Sequence, residues 1–348
     1  METLKVTGAT IPYQLRPHKA IERNLFIDVL KKLDASTQLN IKKYKYVGFG
    51  AAFLEDFKLL HLELGIENME CIEMDDFAFS RQEFNNPYYF LKIHNTTSTD
   101  FINDIFNSDM SQIIWLDYAM PKDFSQQLQD IELLGSKINC LDVVKFTFNS
   151  KISSFINSHH VKDYKNKKCK ESDFKTIKEY FQKHPTYELY IPNNLQNKDI
   201  ADFSSVVRAM AIRALERGLS KNTAKNLKFN HICAFSYADG QEMTTITGII
   251  DSKEEFQKIL LETKLQDWQF YNQGPKASEL IKSVNITVPA MTVIERMEID
   301  RKIPSSDIED LVKSLSFKYG TNPDENKLLL EGYHTFYKYL PYYSKVTY

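Results

Sequence analysis

Residues 45–57 carry the sequence KYVGFGAAFLEDF, and this stretch decides the fold class. Its first residues predict a short apolar strand, Gly48 and Gly50 predict a tight turn, and the remainder predicts the start of an amphipathic helix. A second strand is expected at residues 69–73, and it ends in Glu73 about twenty residues after the glycines. A strand, a glycine turn, a helix and a strand-terminal carboxylate form the opening unit of a nucleotide-binding α/β sheet.

The turn lacks residues that dinucleotide-binding and triphosphate-binding sites require, and this limits which nucleotide it can bind. Its glycines let the backbone approach a ligand closely, and the carboxylate of Glu73 can accept hydrogen bonds from two ribose hydroxyls. A dinucleotide-binding turn has a third glycine three positions after the second, where this sequence has Phe53. No Gly-Lys-Ser/Thr follows the turn, so the sequence has no Walker loop for a triphosphate here. S-adenosylmethionine has a ribose and an adenine but no phosphate, and the sequence therefore favours a methyl-donor site.

Strands and helices alternate between residues 41 and 150, which predicts a mostly parallel α/β sheet covered on both faces. Residues 229–237 and 243–250 are rich in β-formers and flank Asp239-Gly240, a strong signal for an antiparallel hairpin. Such a hairpin after five parallel strands distinguishes methyltransferase sheets from dehydrogenase sheets. The other core elements are expected as strands at 88–94, 112–117 and 142–148, a helix at 124–134, a connection at 75–87, and a short helix capped by Ser98 or Thr99.

These motifs resemble the Rossmann-like class I S-adenosylmethionine-dependent methyltransferases. More narrowly, the Gly-Phe-Gly turn with Phe-Leu-Glu-Asp-Phe after it is similar to a bacterial family described as putative O-methyltransferases. The resemblance extends to an Arg-Pro-x-Lys-x-x-Glu-Arg stretch at residues 16–23. It implies S-adenosylmethionine as cofactor, with its methionine half at the turn formed by Gly48, Phe49 and Gly50. One departure concerns Tyr46, which stands where the usual motif has an acid that contacts the methionine amino group.

Cations crowd the start of the first predicted helix, where they oppose the helix dipole. Arg16 and Lys19 are candidates to bind an anionic group, such as the carboxylate of the methyl donor. The alternative is a solvated basic helix start whose cations pair with nearby acids. His18 lies in the same turn, and a lone histidine of this kind is more often structural than catalytic.

Candidate site residues also follow the third and fourth strands, because ligands of open α/β sheets bind beyond the carboxyl ends of the strands. The resemblance places the substrate motif at Asp117 and Tyr118, which are the predicted catalytic residues. Asp117 could orient or deprotonate an acceptor hydroxyl, and Tyr118 could stack on an aromatic acceptor or face the sulfonium. Asp100 is the candidate for the adenine amino group, or else a partner of the helix dipole. Only Asp117 is well placed as a metal ligand, so no metal site is predicted.

The composition is ordinary for a soluble globular protein, with 43% hydrophobic and 26% charged residues among 348. A net charge of −2 gives no overall attraction to nucleic acid or membrane. The four cysteines are far apart in sequence and form no CxxC pair, which favours buried reduced thiols over metal ligands or nucleophiles. Without a signal-like start or a membrane-length apolar run, the expected location is the cytoplasm.

Four regions are expected: an N-terminal helical cap at 1–40, the core at 41–150 with 229–250, an insertion at 151–228, and an α+β extension at 251–348. The insertion is a candidate lid or substrate region, and its lysine-rich part at 151–183 is either a solvated face or a salt-sensitive nucleic-acid contact. Two other functions stay open. One is a catalytically degenerate module that binds nucleic acid or a protein, and the other is a nicotinamide-dependent oxidoreductase. The methyl acceptor and the oligomeric state are not predicted.

Overall fold

The computed structural model describes residues 16–161, 170–222, 226–272 and 280–341. Within these ranges the chain forms one eight-stranded sheet with the strand order β3-β2-β1-β4-β5-β7-β6-β8. The strands are β1 (Lys45–Phe49), β2 (Asn68–Glu73), β3 (Leu91–Asn95), β4 (Gln112–Tyr118), β5 (Val143–Asn149), β6 (Lys228–Ala238), β7 (Glu242–Asp251) and β8 (Val284–Ile286).

The pairing of the strands confirms the predicted fold class. Strands β1 to β5 pair in parallel, and β7 joins β5 and β6 in antiparallel fashion. The turn between β6 and β7 contains Gly240 at a φ of +94°, a conformation that favours glycine. The short strand β8 adds in parallel to β6 at the edge of the sheet. The result is a Rossmann-like methyltransferase sheet, parallel for most of its width and closed by a hairpin.

Helices cover both faces of the sheet. One face packs against α1, α2, α9 and the C-terminal helices, and the other packs against α5 to α8. The helices are α1 (Pro17–Leu33), α2 (Glu55–Leu64), α3 (Asp76–Asn85), α4 (Ser98–Asp100), α5 (Phe124–Gly135), α6 (Ile152–Ser158), α7 (Glu171–Lys183), α8 (Phe203–Lys221), α9 (Lys253–Thr263), α10 (Val293–Asp300), α11 (Ile308–Ser314) and α12 (Pro323–Phe336).

Three local expectations were wrong. The stretch expected as a connection at 75–87 forms α3, because the side chain of Asp75 caps its first turn by accepting from the amide of Ala78 at 2.8 Å. The cap of α4 is Thr97, which accepts from the amide of Asp100, whereas Ser98 and Thr99 lie inside the helical turn. A β-rich piece was expected at 284–299, but its second half is the helix α10.

Other expectations concern the insertion and the tail. The insertion packs on the α5 side of the sheet, where its helix α8 lies along α5. The predicted terminal helix is α12, whose Tyr333 and Phe336 are buried. Residues 162–169 of the lysine-rich stretch and the final aromatic residues at 342 and 343 lie outside the described ranges. Among the residues of the described ranges, no helix is long and apolar enough to span a bilayer.

Three buried ion pairs attach α1 to the rest of the core. The Nζ of Lys19 lies 2.6 Å from Asp117 at the end of β4. Glu22 lies 2.7 Å from the Nζ of Lys145 in β5.

The third pair joins Arg23 to Asp56 in the first turn of α2 through two parallel hydrogen bonds, one of them 2.9 Å from Nη2 to Oδ2. Lys19, Glu22 and Arg23 of the Arg-Pro-x-Lys-x-x-Glu-Arg stretch are therefore held in pairs with the core, and for the two cations this is the pairing with acids given above as the alternative.

The central pair is the most deeply buried of the three. Lys145 is 0% and Glu22 is 1% exposed. The Nζ of Lys145 also lies 3.4 Å from the ring centroid of Trp115 and 4.2 Å from that of Phe26, a cation–π arrangement. Burial lowers the pKa of Lys145, and the carboxylate of Glu22 opposes that shift.

The helices α5 and α8 cross in near backbone contact. A Cβ at Gly218 would lie 2.1 Å from the carbonyl oxygen of Glu132, and one at Gly135 would lie 2.7 Å from the carbonyl oxygen of Leu215. Both obstacles are backbone atoms that cannot rotate away. Glycine at these two positions is therefore required by packing.

We predict that Gly218→Ala lowers the free energy of unfolding by about 1–3 kcal/mol or more, because α8 must move away from α5 to admit the methyl group. Urea denaturation measures the change. The matched control is Ser220→Ala on the exposed side of the same helix, which should change stability by less than about 0.5 kcal/mol. Equal stability of the Gly218 variant and the wild type would contradict the close crossing.

We predict that Lys145→Met lowers the free energy of unfolding by about 3–5 kcal/mol, because it leaves the carboxylate of Glu22 buried without its partner. Denaturant titration measures the free energy of unfolding of this variant and of the double variant with Glu22→Gln. Comparing the two separates the loss of the ion pair from the loss of side-chain packing. The double variant should recover a large part of the loss. Additive losses in the double variant would contradict a direct pairing of the two charges.

Candidate active site

The candidate site lies where the carboxyl ends of β1, β2 and β4 meet. In the register of the sheet, Gly48 is opposite Cys71 of β2 and Trp115 of β4. Glu73 follows Ile72, which is opposite Phe49, and Asp117 follows Trp115 by two residues in β4, so both acids lie near the end of β1. The sheet therefore brings the glycine turn and the two predicted carboxylates together.

The hairpin between β6 and β7 reaches the same edge and holds the start of α1. The Oδ2 of Asp239 accepts a hydrogen bond of 2.8 Å from the backbone amide of Lys19. The Nδ1 of His18 lies 2.8 Å from the Oδ1 of Asp239, and its Nε2 accepts from the amide of Val288 at 3.2 Å. Both ring nitrogens of His18 have partners, which supports the structural role over the catalytic one.

Lys19 also fixes Asp117. Its ammonium contacts the Oδ2 of Asp117, while the Oδ1 of Asp117 is buried and has no hydrogen-bond partner among the described residues. Burial by itself would raise the pKa of Asp117, but the charge and hydrogen bond of Lys19 outweigh it and hold that pKa below its usual value. Arg23 and Lys145 act in the same direction. Asp117 is therefore an ionised carboxylate with one oxygen held by Lys19 and the other buried.

Tyr118 is buried beside Asp117 and is packed on both sides. Its ring makes an edge contact with Phe49 at 5.4 Å and stacks on Phe148 at 5.9 Å, measured between centroids. Its hydroxyl donates to the Oδ2 of Asp130 at 3.3 Å, and burial raises the pKa of Tyr118. The ring is thus rigidly held at the end of β4, with its hydroxyl directed to α5.

Glu73 ends β2 and is half-buried. Its Oε1 accepts from the amide of Asp75 and its Oε2 accepts from the Nε2 of Gln82, each at 3.0 Å. These bonds fix the carboxylate and leave further acceptor capacity, since two carboxylate oxygens offer about four lone-pair sites. Glu73 therefore fits a pair of ribose hydroxyls.

The two glycines of the turn are required by packing inside the protein, because a Cβ at either position would collide with a neighbouring side chain. A Cβ at Gly48 would lie 2.6 Å from the hydroxyl of Tyr46, and one at Gly50 would lie 2.8 Å from the Sγ of Cys71. Tyr46 is 1% exposed, and its ring packs edge-on against Phe57. The residue that replaces the motif acid is thus a core side chain beneath the turn.

The last two predicted donor-binding residues are Asp100 and Arg16. Asp100 is exposed in α4, where its Oδ2 accepts from the hydroxyl of Thr97 at 2.8 Å. Arg16 is half-buried directly before α1.

Lys19, predicted beside Arg16 as an anion-binding residue, is instead engaged by Asp117. A sequence signal that α1 carries buried charges is Lys145 inside an apolar strand, which requires a buried acid such as Glu22 of α1.

A cavity of about 240 Å³ lies beyond the carboxyl ends of β5 and β6. Its walls are partly aromatic and apolar, and hydroxyl groups from three elements line it. The residues concerned are Ser150, Phe203, Ser204, Ser236, Tyr237 and Met243. Its size and mixed lining suit a small organic molecule.

Comparison with known proteins identifies the family. A family model described as "Putative O-methyltransferase" matches residues 11–348. One similar solved structure is the fibrillarin pre-rRNA processing protein of Methanococcus jannaschii, with 12% identity, coverage of 62% of this chain and 70% of that chain, and a TM-score of 0.34.

Another is the N-methyltransferase NodS from Bradyrhizobium japonicum WM9, with 9% identity, coverage of 68% and 98%, and a TM-score of 0.34. No curated protein sequence matches the chain.

The family match includes the charged stretch of α1, the glycine turn, both candidate carboxylates and the C-terminal extension. The chain belongs to the family described as putative O-methyltransferases.

Proposed function

We propose that this enzyme transfers a methyl group from S-adenosylmethionine to a hydroxyl oxygen of a small acceptor. The observation that carries the proposal is that the glycine turn after β1 and two fixed carboxylates, Glu73 at the end of β2 and Asp117 near the end of β4, lie at the same carboxyl edge of the sheet. When bound, S-adenosylmethionine supplies an electrophilic methyl group on a sulfonium. The protein has to bind this donor, hold the acceptor oxygen in line with the methyl carbon and exclude water.

Glu73 binds the ribose in this proposal. Its carboxylate is held by the amide of Asp75 and by Gln82, so little side-chain entropy is lost when the ribose hydroxyls donate to it. The turn at Gly48, Phe49 and Gly50 receives the methionine half, and Asp100 lies beyond β3, where the adenine amino group is expected.

The acceptor binds on the other side of Asp117 and Tyr118, toward β5. Strand β5 is the next strand along the edge, and the 240 Å³ cavity begins directly after it at Ser150. Its lining combines aromatic and apolar groups with serine hydroxyls and the carboxylates of Asp202 and Glu242, which suits a compact acceptor that carries hydroxyl groups. The buried ring of Tyr118, packed between Phe49 and Phe148, supports the end of β4 beneath this region.

The nucleic-acid alternative has weaker support. On the described part of the lysine-rich stretch, Lys175 and Lys183 both lie within 4 Å of Glu179, at 3.9 and 3.8 Å, so their charges are partly balanced. We propose a location in the bacterial cytoplasm, which suits the buried free thiols of Cys71 and Cys233.

We predict that Glu73→Ala weakens the binding of S-adenosylhomocysteine by about 10- to 100-fold, because the ribose loses its hydrogen bonds to a charged carboxylate. Isothermal titration calorimetry measures the affinity. Glu83→Ala, an exposed acid on the neighbouring helix α3, is the matched control and should bind like the wild type.

Unchanged affinity of the Glu73 variant would contradict the ribose assignment. A wild-type protein that binds neither S-adenosylmethionine nor S-adenosylhomocysteine would contradict the proposed function itself.

A further inference from the structure

A short segment directly after Glu73 carries the most exposed large apolar side chains of the described ranges. Tyr89 is 97%, Phe84 is 91% and Phe77 is 84% exposed, and Met74 is 67% exposed. These four residues, in and around α3, form the α3 patch. Single exposed apolar residues are common on soluble proteins, but a monomer rarely exposes a contiguous apolar patch larger than a few hundred Å².

The attachment of α3 to the core turns two of these rings to the same side. Gln82 is the buried residue of α3, where its Nε2 donates to Glu73 and its Oε1 accepts from the Sγ of Cys71. Phe77 and Phe84 are seven residues apart, which is almost two full helical turns, so they project from one side of the helix. At about 100° per residue, that side is opposite Gln82. Both rings therefore point away from the core.

The apolar surface continues past both ends of α3. Tyr88 and Phe90 stack on each other with 4.9 Å between ring centroids, and both rings contact His61 of α2. This packing leaves Tyr89, which lies between them in sequence, directed into solvent after the helix. Met74 lies at the other end, directly before the residue that caps the helix.

The area of the α3 patch matches one half of a protein–protein interface. With about 200 Å² for each fully exposed side chain of this size, the exposed fractions give roughly 600–700 Å². A standard interface takes about 800 Å² from each partner. Two copies of the patch would together bury roughly 1,200–1,400 Å² before any polar rim is counted, which reaches the range of stable complexes.

The position and charge of α3 suit a second copy of the chain. The helix connects β2 to β3, and β3 is the terminal strand of the sheet in the described ranges. The exposed charges of α3 have both signs, since Arg81 and Glu83 lie beside the rings, so a second copy meets no uniform like charge. A net charge of −2 for the whole chain leaves little long-range repulsion between copies.

We propose that the protein forms a homodimer through the α3 patch, with a two-fold axis that sets the patch of one chain against the same patch of the other. A two-fold interface uses one surface twice, so no second apolar surface is needed. Burial of the exposed rings supplies the driving force. This inference is independent of methyl transfer.

Sedimentation-velocity centrifugation over micromolar concentrations tests the proposal. We expect the wild type to sediment as a dimer, and the double variant Phe77→Glu, Phe84→Glu to have a dissociation constant raised by at least about 100-fold, because the interface would have to bury four charges. The matched control is Ile294→Glu in α10, which is also exposed and should leave the dissociation constant within about twofold of the wild type.

A wild type that stays monomeric throughout this range would overturn the proposal. A dimer that the double variant retains would overturn it as well, because the two chains would then meet through another surface.

Hydrogen exchange on the wild type keeps the proposal testable if the double variant does not fold. Backbone amides of residues 74–89 should exchange at least about tenfold more slowly at concentrations that favour the dimer than after dilution, whereas those of α12 should exchange equally. Equal exchange of residues 74–89 at both concentrations would overturn the proposal.

Discussion

The three buried ion pairs between α1 and the core are the constraint on which the site depends. Charges removed from water are costly unless each finds a partner with good geometry, so α1 is compatible with one position on the sheet. Lys19, Glu22 and Arg23 span little more than one helical turn, and their partners come from β4, β5 and α2. A shift of α1 by one residue would break all three pairs together. The position of Asp117 is therefore set by a helix that precedes it by about a hundred residues.

The C-terminal extension holds the same helix from outside. The side chain of Asn24 donates to the carbonyl oxygen of Tyr339, and the hydroxyl of Tyr339 donates to Asp28, each at 2.7 Å. Because α1 lies between the sheet and this extension, nearly all of its residues from Lys19 to Leu33 are buried or half-buried. The extension thus supports the active-site edge indirectly, through the helix that fixes Asp117.

The sequence predicts the parts of this arrangement that depend on local pattern. The glycine turn, the acid at Glu73 and the Asp-Gly hairpin were sufficient for the fold class, a mostly parallel sheet with an antiparallel hairpin. Partner choice among charged side chains is a property of the fold, and for that reason Lys19 was predicted to bind an anionic ligand group while the structure pairs it with Asp117. The packing role of the turn glycines could not be predicted from the sequence either, because their contacts with Tyr46 and Cys71 depend on how neighbouring strands pack.

The central claim is that an adenosyl group lies against the glycine turn between the carboxylates of Glu73 and Asp117. A crystal structure of the protein with S-adenosylhomocysteine tests it most directly. The account predicts both ribose hydroxyls within about 3 Å of the carboxylate oxygens of Glu73. An adenosyl group bound elsewhere, or bound with its ribose away from Glu73, would contradict it.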